Sequence, residues 1–187
     1  MKQFLLSSLF LIVFSLNAQQ SSTPEKVDVV SVDAAALRRI AKDSPKKNTL
    51  FYTFGIWCEP CRLHLPTAIK LAKDYDLDFY VIIVDAQTSS KTPNAADYLK
   101  KQDKDIKIAV LSDAAYGEKT QKRNTKFVTE ITPSQFENID DFSKYILLNK
   151  KGEVIMVTNY KDNKGNDWRD DSKMVQKRIV PLLEKRI

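Results

Sequence analysis

Five consecutive residues constrain this chain most: Trp57-Cys58-Glu59-Pro60-Cys61. They hold both cysteines of the 187 residues. Just before them, Leu50-Phe51-Tyr52-Thr53-Phe54 is short and aromatic-rich, the pattern of a strand. Gly55-Ile56-Trp57 makes a turn. From Cys61 onward, Leu65, Ala68, Ile69, Leu71 and Ala72 recur at helical spacing. Cys58 therefore falls at or beside a helix N-terminus. Unpaired backbone N–H groups and the positive end of the helix dipole stabilise a thiolate there. A thiolate is the attacking species in thiol–disulfide exchange, and Cys61 is near enough to close a small ring with Cys58. Such a ring constrains little of the unfolded chain, so an inert staple explains the pair less well than a redox couple.

Phe54-Gly55-Ile56-Trp57-Cys58-Glu59-Pro60-Cys61-Arg62 resembles the active-site segment of thioredoxin-fold proteins. The Glu-Pro between the cysteines is similar to the TlpA/ResA-like group of exported thiol–disulfide oxidoreductases. Pro66, five residues after Cys61, matches the helix-kinking proline of that fold. The resemblance runs from about Thr49 to Val157 and weakens in its second half. It implies an α/β, thioredoxin-like fold: a central mixed sheet flanked by helices, with a helix–strand insertion and an N-terminal extension.

The N-terminus points to export. Lys2 precedes an apolar run from Phe4 to Phe14, and Ala18 offers a small residue before Gln19. This is the pattern of a cleavable signal peptide over residues 1–18, and it is short for a membrane span. An uncleaved anchor is the alternative. No cysteine follows the run, so a lipoprotein anchor is excluded. Residues 19–187 then form one thioredoxin-like domain, with 19–48 as its N-terminal extension. The folded part is expected in a periplasm or secreted. The net charge of +6 comes from lysines interspersed with carboxylates. There is no arginine-rich run and no nucleic-acid motif, so a solvated basic surface accounts for it and no nucleic-acid partner is expected.

Along the chain, Val27 to Val32 suits an edge strand, and Asp33 to Ala41 a helix capped by Asp33 or Ser31. Phe79 to Val84 is a continuous apolar run, as in a central parallel strand. Thr92-Pro93 suits an N-cap and first helical position. Ile106 to Leu111 suits a short strand, and Tyr116 to Val128 a polar helix. Tyr145-Ile146-Leu147-Leu148 and Val154-Ile155-Met156-Val157 form a hairpin around Gly152. Trp168 to Lys185 is expected as one closing helix, kinked at Pro181.

The candidate site follows. Cys58 is the nucleophile and Cys61 the resolving thiol, with Trp57, Glu59 and Pro60 tuning them. Glu59 places a negative charge beside the thiols, which disfavours thiolate and argues for a reductant. His64, the single histidine, is expected as an ordinary, partly exposed helical residue. A c-type haem needs histidine directly after the second cysteine, and Arg62 stands there. Zinc needs about four ligands, more than two cysteines and one histidine supply. No metal or other cofactor is therefore expected.

Two departures from the resemblance stand out. Where thioredoxins carry a buried acid, six residues before the first cysteine, this chain has Tyr52. The TlpA/ResA-like group instead places a glutamate after the second core strand, where Asp85 and Gln87 stand. Asp85 is the candidate proton acceptor for Cys61, against the simpler role of a strand-end cap. The family also puts a cis-proline before the first hairpin strand, and here that place holds Phe142-Ser143-Lys144. Either Thr132-Pro133 supplies the cis bond, with residues 134–143 as an insertion, or the loop has lost it. A non-proline cis bond costs several kcal/mol, which favours Thr132-Pro133.

The resulting expectation is an exported thiol–disulfide oxidoreductase that reduces protein disulfides. Its partners are a protein disulfide or dithiol and a membrane or periplasmic electron donor. A thioredoxin-fold scaffold with little redox activity is the alternative. A peroxiredoxin-like peroxidase is disfavoured, because the threonine-containing proline loop ahead of a lone cysteine is absent.

Overall fold

The structure is a computed structural model that describes residues 29–184. Residues 1–18, expected as a signal peptide, lie outside the described residues.

The apolar runs become six strands of one sheet: β1 (Val29–Val32), β2 (Asn48–Phe54), β3 (Asp78–Ile83), β4 (Lys107–Leu111), β5 (Tyr145–Asn149) and β6 (Val154–Val157). Their order is β1-β4-β3-β2-β5-β6. The first four run parallel; on the far side of β2, β5 pairs antiparallel with β2 and β6 antiparallel with β5. β2 is buried along its whole length, because the sheet is covered on both faces. Leu50, Tyr52 and Phe54 point into one core, and Phe51 into the other.

Helices α2 (Glu59–Asp74), α3 (Lys91–Gln102) and α6 (Ser172–Arg178) cover the first face, through Leu65, Ala68, Leu99 and Val175 among others. Helices α1 (Ala34–Asp43) and α5 (Thr120–Ile131) cover the second, through Leu37, Ala41, Phe127 and Ile131. α4 is a single turn (Asp113–Tyr116). This is the thioredoxin-like arrangement. The expected helix–strand insertion is α3 and β4, and β4 separates β1 from β3.

Local chemistry sets the element ends. Asp33 caps α1, its Oδ1 accepting from Ala36 N–H at 2.7 Å. Gly152 turns the β5–β6 hairpin at φ +73°, where a Cβ would stand 2.7 Å from the Arg38 carbonyl oxygen. α3 begins one residue before Thr92, with Ser90 at the N-cap position. Thr92 is drawn inward instead, its hydroxyl donating to the Ala86 carbonyl at 2.6 Å.

The closing helix differs from its expectation. Residues 168–171 are not helical, and α6 starts only at Ser172. It gives way to α7 (Val180–Glu184) around Ile179, two residues ahead of Pro181, whose missing N–H cannot extend an α-helical ladder. The turn that replaces the expected first helical residues carries Trp168 and Asp171 to the cysteines' helix.

Candidate active site

The cysteines sit at the C-terminal end of β2, where the parallel strands open onto α2. Ligand sites of open α/β sheets favour this end. Cys58 and Cys61 form a disulfide, with Cα atoms 5.2 Å apart. Cys58 is the N-cap residue of α2, and its Sγ accepts from Cys61 N–H at 3.2 Å. The sulfur thus occupies the position where a helix end favours negative charge. Pro60 fits the first turn, where no N–H is required. Pro66 lies inside the helix and leaves the Arg62 carbonyl without its helical donor. The two thiols differ in access. Cys58 reaches the surface at 7% exposure, and Cys61 is fully buried.

Cys58 opens onto a cleft of about 600 Å³. Trp57, Glu59, Pro60, Phe142 and Ser143 line it beside Cys58. Residues of the loop from Asn159 to Trp168 line it as well. Trp57, Tyr160 and Trp168 are large aromatics left exposed along it. The cleft is therefore open and bordered by exposed aromatic side chains.

Trp57 is held deliberately. Its ring meets Phe142 edge-on at 4.9 Å between centroids. It lies back over Gly55, where a Cβ would come within 2.9 Å of the indole. Its Nε1 donates to both oxygens of Asp85, at 2.9 and 3.2 Å. Asp85 is buried and also accepts from the Thr120 hydroxyl at 3.0 Å. So Asp85, expected as the proton acceptor for Cys61, gives its carboxylate to Trp57 and Thr120. Its bonds place the aromatic wall, and they come from a strand end meeting α5, which spacing along the chain does not reveal. Asp85→Ala is expected to free the indole and leave two donors without their acceptor, at about 1–3 kcal/mol. The emission of Trp57 should shift to the red, and KM for a protein disulfide should rise several-fold with kcat less affected. Unchanged emission and KM would show that Asp85 does not position Trp57.

The proline expectation is corrected. Among the described residues no peptide bond is cis. Thr132 is the C-cap of α5, and Pro133 follows it at the end of that helix, away from the cleft lining. The segment Phe142-Ser143-Lys144 stands at the cleft instead, with Phe142 and Ser143 lining it beside Cys58 and Lys144 buried. It is tied to β2 by Thr53 N–H donating to the Lys144 carbonyl at 3.0 Å and Lys144 N–H donating to Thr53 Oγ1 at 2.9 Å. Ser143 is in the left-handed region, at φ +64°. A non-glycine residue persists there only when its surroundings hold it.

What holds Ser143 is a polar network beneath the disulfide. Its Oγ lies 2.7 Å from the Tyr52 hydroxyl and 2.9 Å from His64 Nδ1. The Tyr52 hydroxyl donates to the Cys61 carbonyl at 3.0 Å. His64 Nε2 lies 2.8 Å from the Trp168 carbonyl. Asp171 Oδ2 is 3.6 Å from His64 Nδ1 and accepts from the Tyr145 hydroxyl at 2.6 Å. Tyr52 takes the place of the buried acid. Burial pushes its phenol well above the ordinary range, so it stays neutral. Burial also raises the Asp171 carboxyl, against the Tyr145 hydroxyl and His64, which lower it.

His64 is therefore not the partly exposed helical residue expected from the sequence. It is 9% exposed and bonded through both ring nitrogens. The signal available was its place three residues after Cys61 on α2, the same helix face. Asp171 carried no such signal, because a helix was expected to begin before it.

Comparison with known proteins places this architecture. The family model described as Redoxin matches residues 39–177. The chain is similar to a thiol:disulfide interchange protein of the thioredoxin family from Chlorobium tepidum TLS, at 17% identity and TM-score 0.43, over 76% of this chain and 82% of that one. It is also similar to StoA from Bacillus subtilis, at 18% identity and TM-score 0.39, over 61% of this chain and 75% of that one. Comparison with curated proteins gives no match. The Redoxin match takes in the strand, the cysteine pair, the residues that line the cleft and Asp171, and the chain belongs to the Redoxin family.

Proposed function

We propose that the protein is exported and reduces disulfides in other proteins, with Cys58 as the attacking thiolate and Cys61 as the resolving thiol. The observation that carries this reading is the asymmetry of the pair. Cys58 caps α2 at the edge of an open cleft, and Cys61 is sealed behind it. Cys58 attacks a substrate disulfide and expels one substrate thiolate, leaving a mixed disulfide. Cys61, losing its proton, attacks Cys58 and releases the second substrate thiol. The protein is left oxidised, and a membrane or periplasmic dithiol donor returns the two electrons.

Glu59 and Pro60 line the cleft next to the pair. The negative charge of Glu59 disfavours thiolate and supports the reductive direction. Export rests on the signal-like residues 1–18, and no helix among the described residues is long and apolar enough to cross a membrane. The exposed aromatics of the cleft suit an extended substrate segment with apolar side chains beside its cysteine.

The test is the reduction potential of Cys58–Cys61, measured by equilibration with dithiothreitol or glutathione and thiol trapping. A value near −270 mV, typical of thioredoxins, is expected. A value near −120 mV reverses the direction of electron flow. The scaffold reading draws on the proline-free loop at Ser143. A pair that cannot be cycled at all would establish it.

A further inference from the structure

The network under the disulfide has more hydrogen bonds than a neutral histidine can supply with hydrogens. Four contacts run in series from one carbonyl to another: Trp168 C=O to His64 Nε2, His64 Nδ1 to Ser143 Oγ, Ser143 Oγ to the Tyr52 hydroxyl, and Tyr52 to Cys61 C=O. Both end carbonyls can only accept, so four hydrogen bonds need four hydrogens. Ser143 and Tyr52 contribute one each. A neutral imidazole contributes one, and the chain is then one short. An imidazolium contributes two, and every bond is made.

Each direction then follows. His64 donates from Nε2 to Trp168 and from Nδ1 to Ser143, Ser143 donates to Tyr52, and Tyr52 donates to Cys61. With a neutral ring, one link breaks inside a site where an unmade bond is costly. The carboxylate of Asp171, buried at 3.6 Å from Nδ1, is a counter-charge for the second ring proton.

We propose that His64 is a buried imidazolium, held by Asp171, whose positive charge stabilises the thiolate of the reduced cysteine pair. This rests on the oxidoreductase reading and assigns His64 a positioning and electrostatic role. It is carried by placement as well as by the hydrogen count. His64 lies on α2 three residues from Cys61 and lines the same cleft as Cys58. Reduction of the disulfide by a dithiol takes up two electrons and one proton, leaving Cys58 as thiolate and Cys61 as thiol. The imidazolium offsets the new negative charge, and so does the helix N-terminus.

The other groups around the ring are accounted for. From the sheet, Tyr52 and Tyr145 face it as neutral hydroxyls. From the turn before α6, Asp171 faces it directly and Asp170 acts on it from further out. Glu59, Asp141 and Lys164 lie along the cleft, and the cysteine pair lies toward the start of α2. Ser143, in its left-handed conformation, is the joint that brings Tyr52 and His64 into one chain.

The experiment compares wild-type protein with His64→Gln, a neutral side chain that retains a donor and an acceptor. Iodoacetamide alkylation of the dithiothreitol-reduced proteins is followed against pH. The variant's profile is expected to move to higher pH, with a thiolate fraction three- to tenfold lower on the rising part. The potential should become more negative by up to about 30 mV, the value of a tenfold change for a two-electron couple. Superimposable profiles and potentials in a folded variant overturn the inference.

If the variant does not fold, oxidised wild-type protein labelled with ¹⁵N in its single histidine gives the answer alone. Two protonated ring nitrogens at neutral pH support the inference, and one protonated and one bare nitrogen overturn it. A wild-type pair that dithiothreitol and oxidised glutathione cannot cycle defeats the oxidoreductase reading instead, independently of either result at His64.

Discussion

Cys61→Ser should leave the protein covalently joined to its substrate. Cys58 stays at the edge of the cleft and still attacks, but the buried partner that releases it is now a hydroxyl. A serine hydroxyl at neutral pH is not an effective nucleophile toward a disulfide, because the oxyanion is too scarce. The mixed disulfide should therefore accumulate, visible as a band on a non-reducing gel that dithiothreitol removes. Cys58→Ser should give no such adduct, since Cys61 is sealed behind the N-cap position. Each variant should lose on the order of 10³-fold or more in protein-disulfide reduction, as removal of a member of a catalytic unit does. Both conserve volume, so the fold should be little disturbed. An adduct formed by Cys58→Ser and not by Cys61→Ser would exchange the two roles. Full activity in Cys61→Ser would mean that a second thiol from outside completes the reaction.

The largest effect on stability is expected at Phe51. It lies in the middle of β2, fully buried, between Tyr80 of β3 and Ile146 of β5. Its ring stacks on Tyr80 at 5.4 Å between centroids. It also anchors the face covered by α1 and α5. Phe51→Ala removes most of a ring from a site where the surrounding strands cannot collapse inward. The cost is about 3–5 kcal/mol, a large share of the roughly 5–15 kcal/mol that holds a domain folded. Phe51→Leu should cost clearly less, since more of the volume is retained. Urea denaturation of the oxidised proteins checks both, through midpoints that fall without a change in slope. A loss below about 1 kcal/mol in Phe51→Ala would mean that this face of the sheet repacks freely.

Phe51 and Cys58 also show why much of this protein was legible along the chain. Strand and helix patterns arise from neighbours two to four residues apart, and the cysteine pair needs only its own helix end. The run from Leu50 to Ala72 therefore announced β2, α2 and the thiol at the helix start. The edge strand at Val32, the Asp33 cap and the β5–β6 hairpin were local in the same sense. Their residues carry the periodicity, the side-chain oxygen or the glycine that each element requires.

The rest depended on approach between distant segments. Asp85 is 28 residues from the indole it holds. His64 meets Ser143 across 79 residues and Trp168 across 104. No spacing rule links such pairs, because their distance is set by how the sheet orders its strands and how the chain turns before α6. Helix pattern placed Asp171 inside a helix, and the turn at residues 168–171 instead put it beside His64. The strained backbone at Ser143 was equally out of reach, since a serine adopts φ +64° here through bonds to Tyr52 and His64 that exist only after folding. Residue type and local period thus specified the elements and the thiols, and long-range packing selected the groups that surround them.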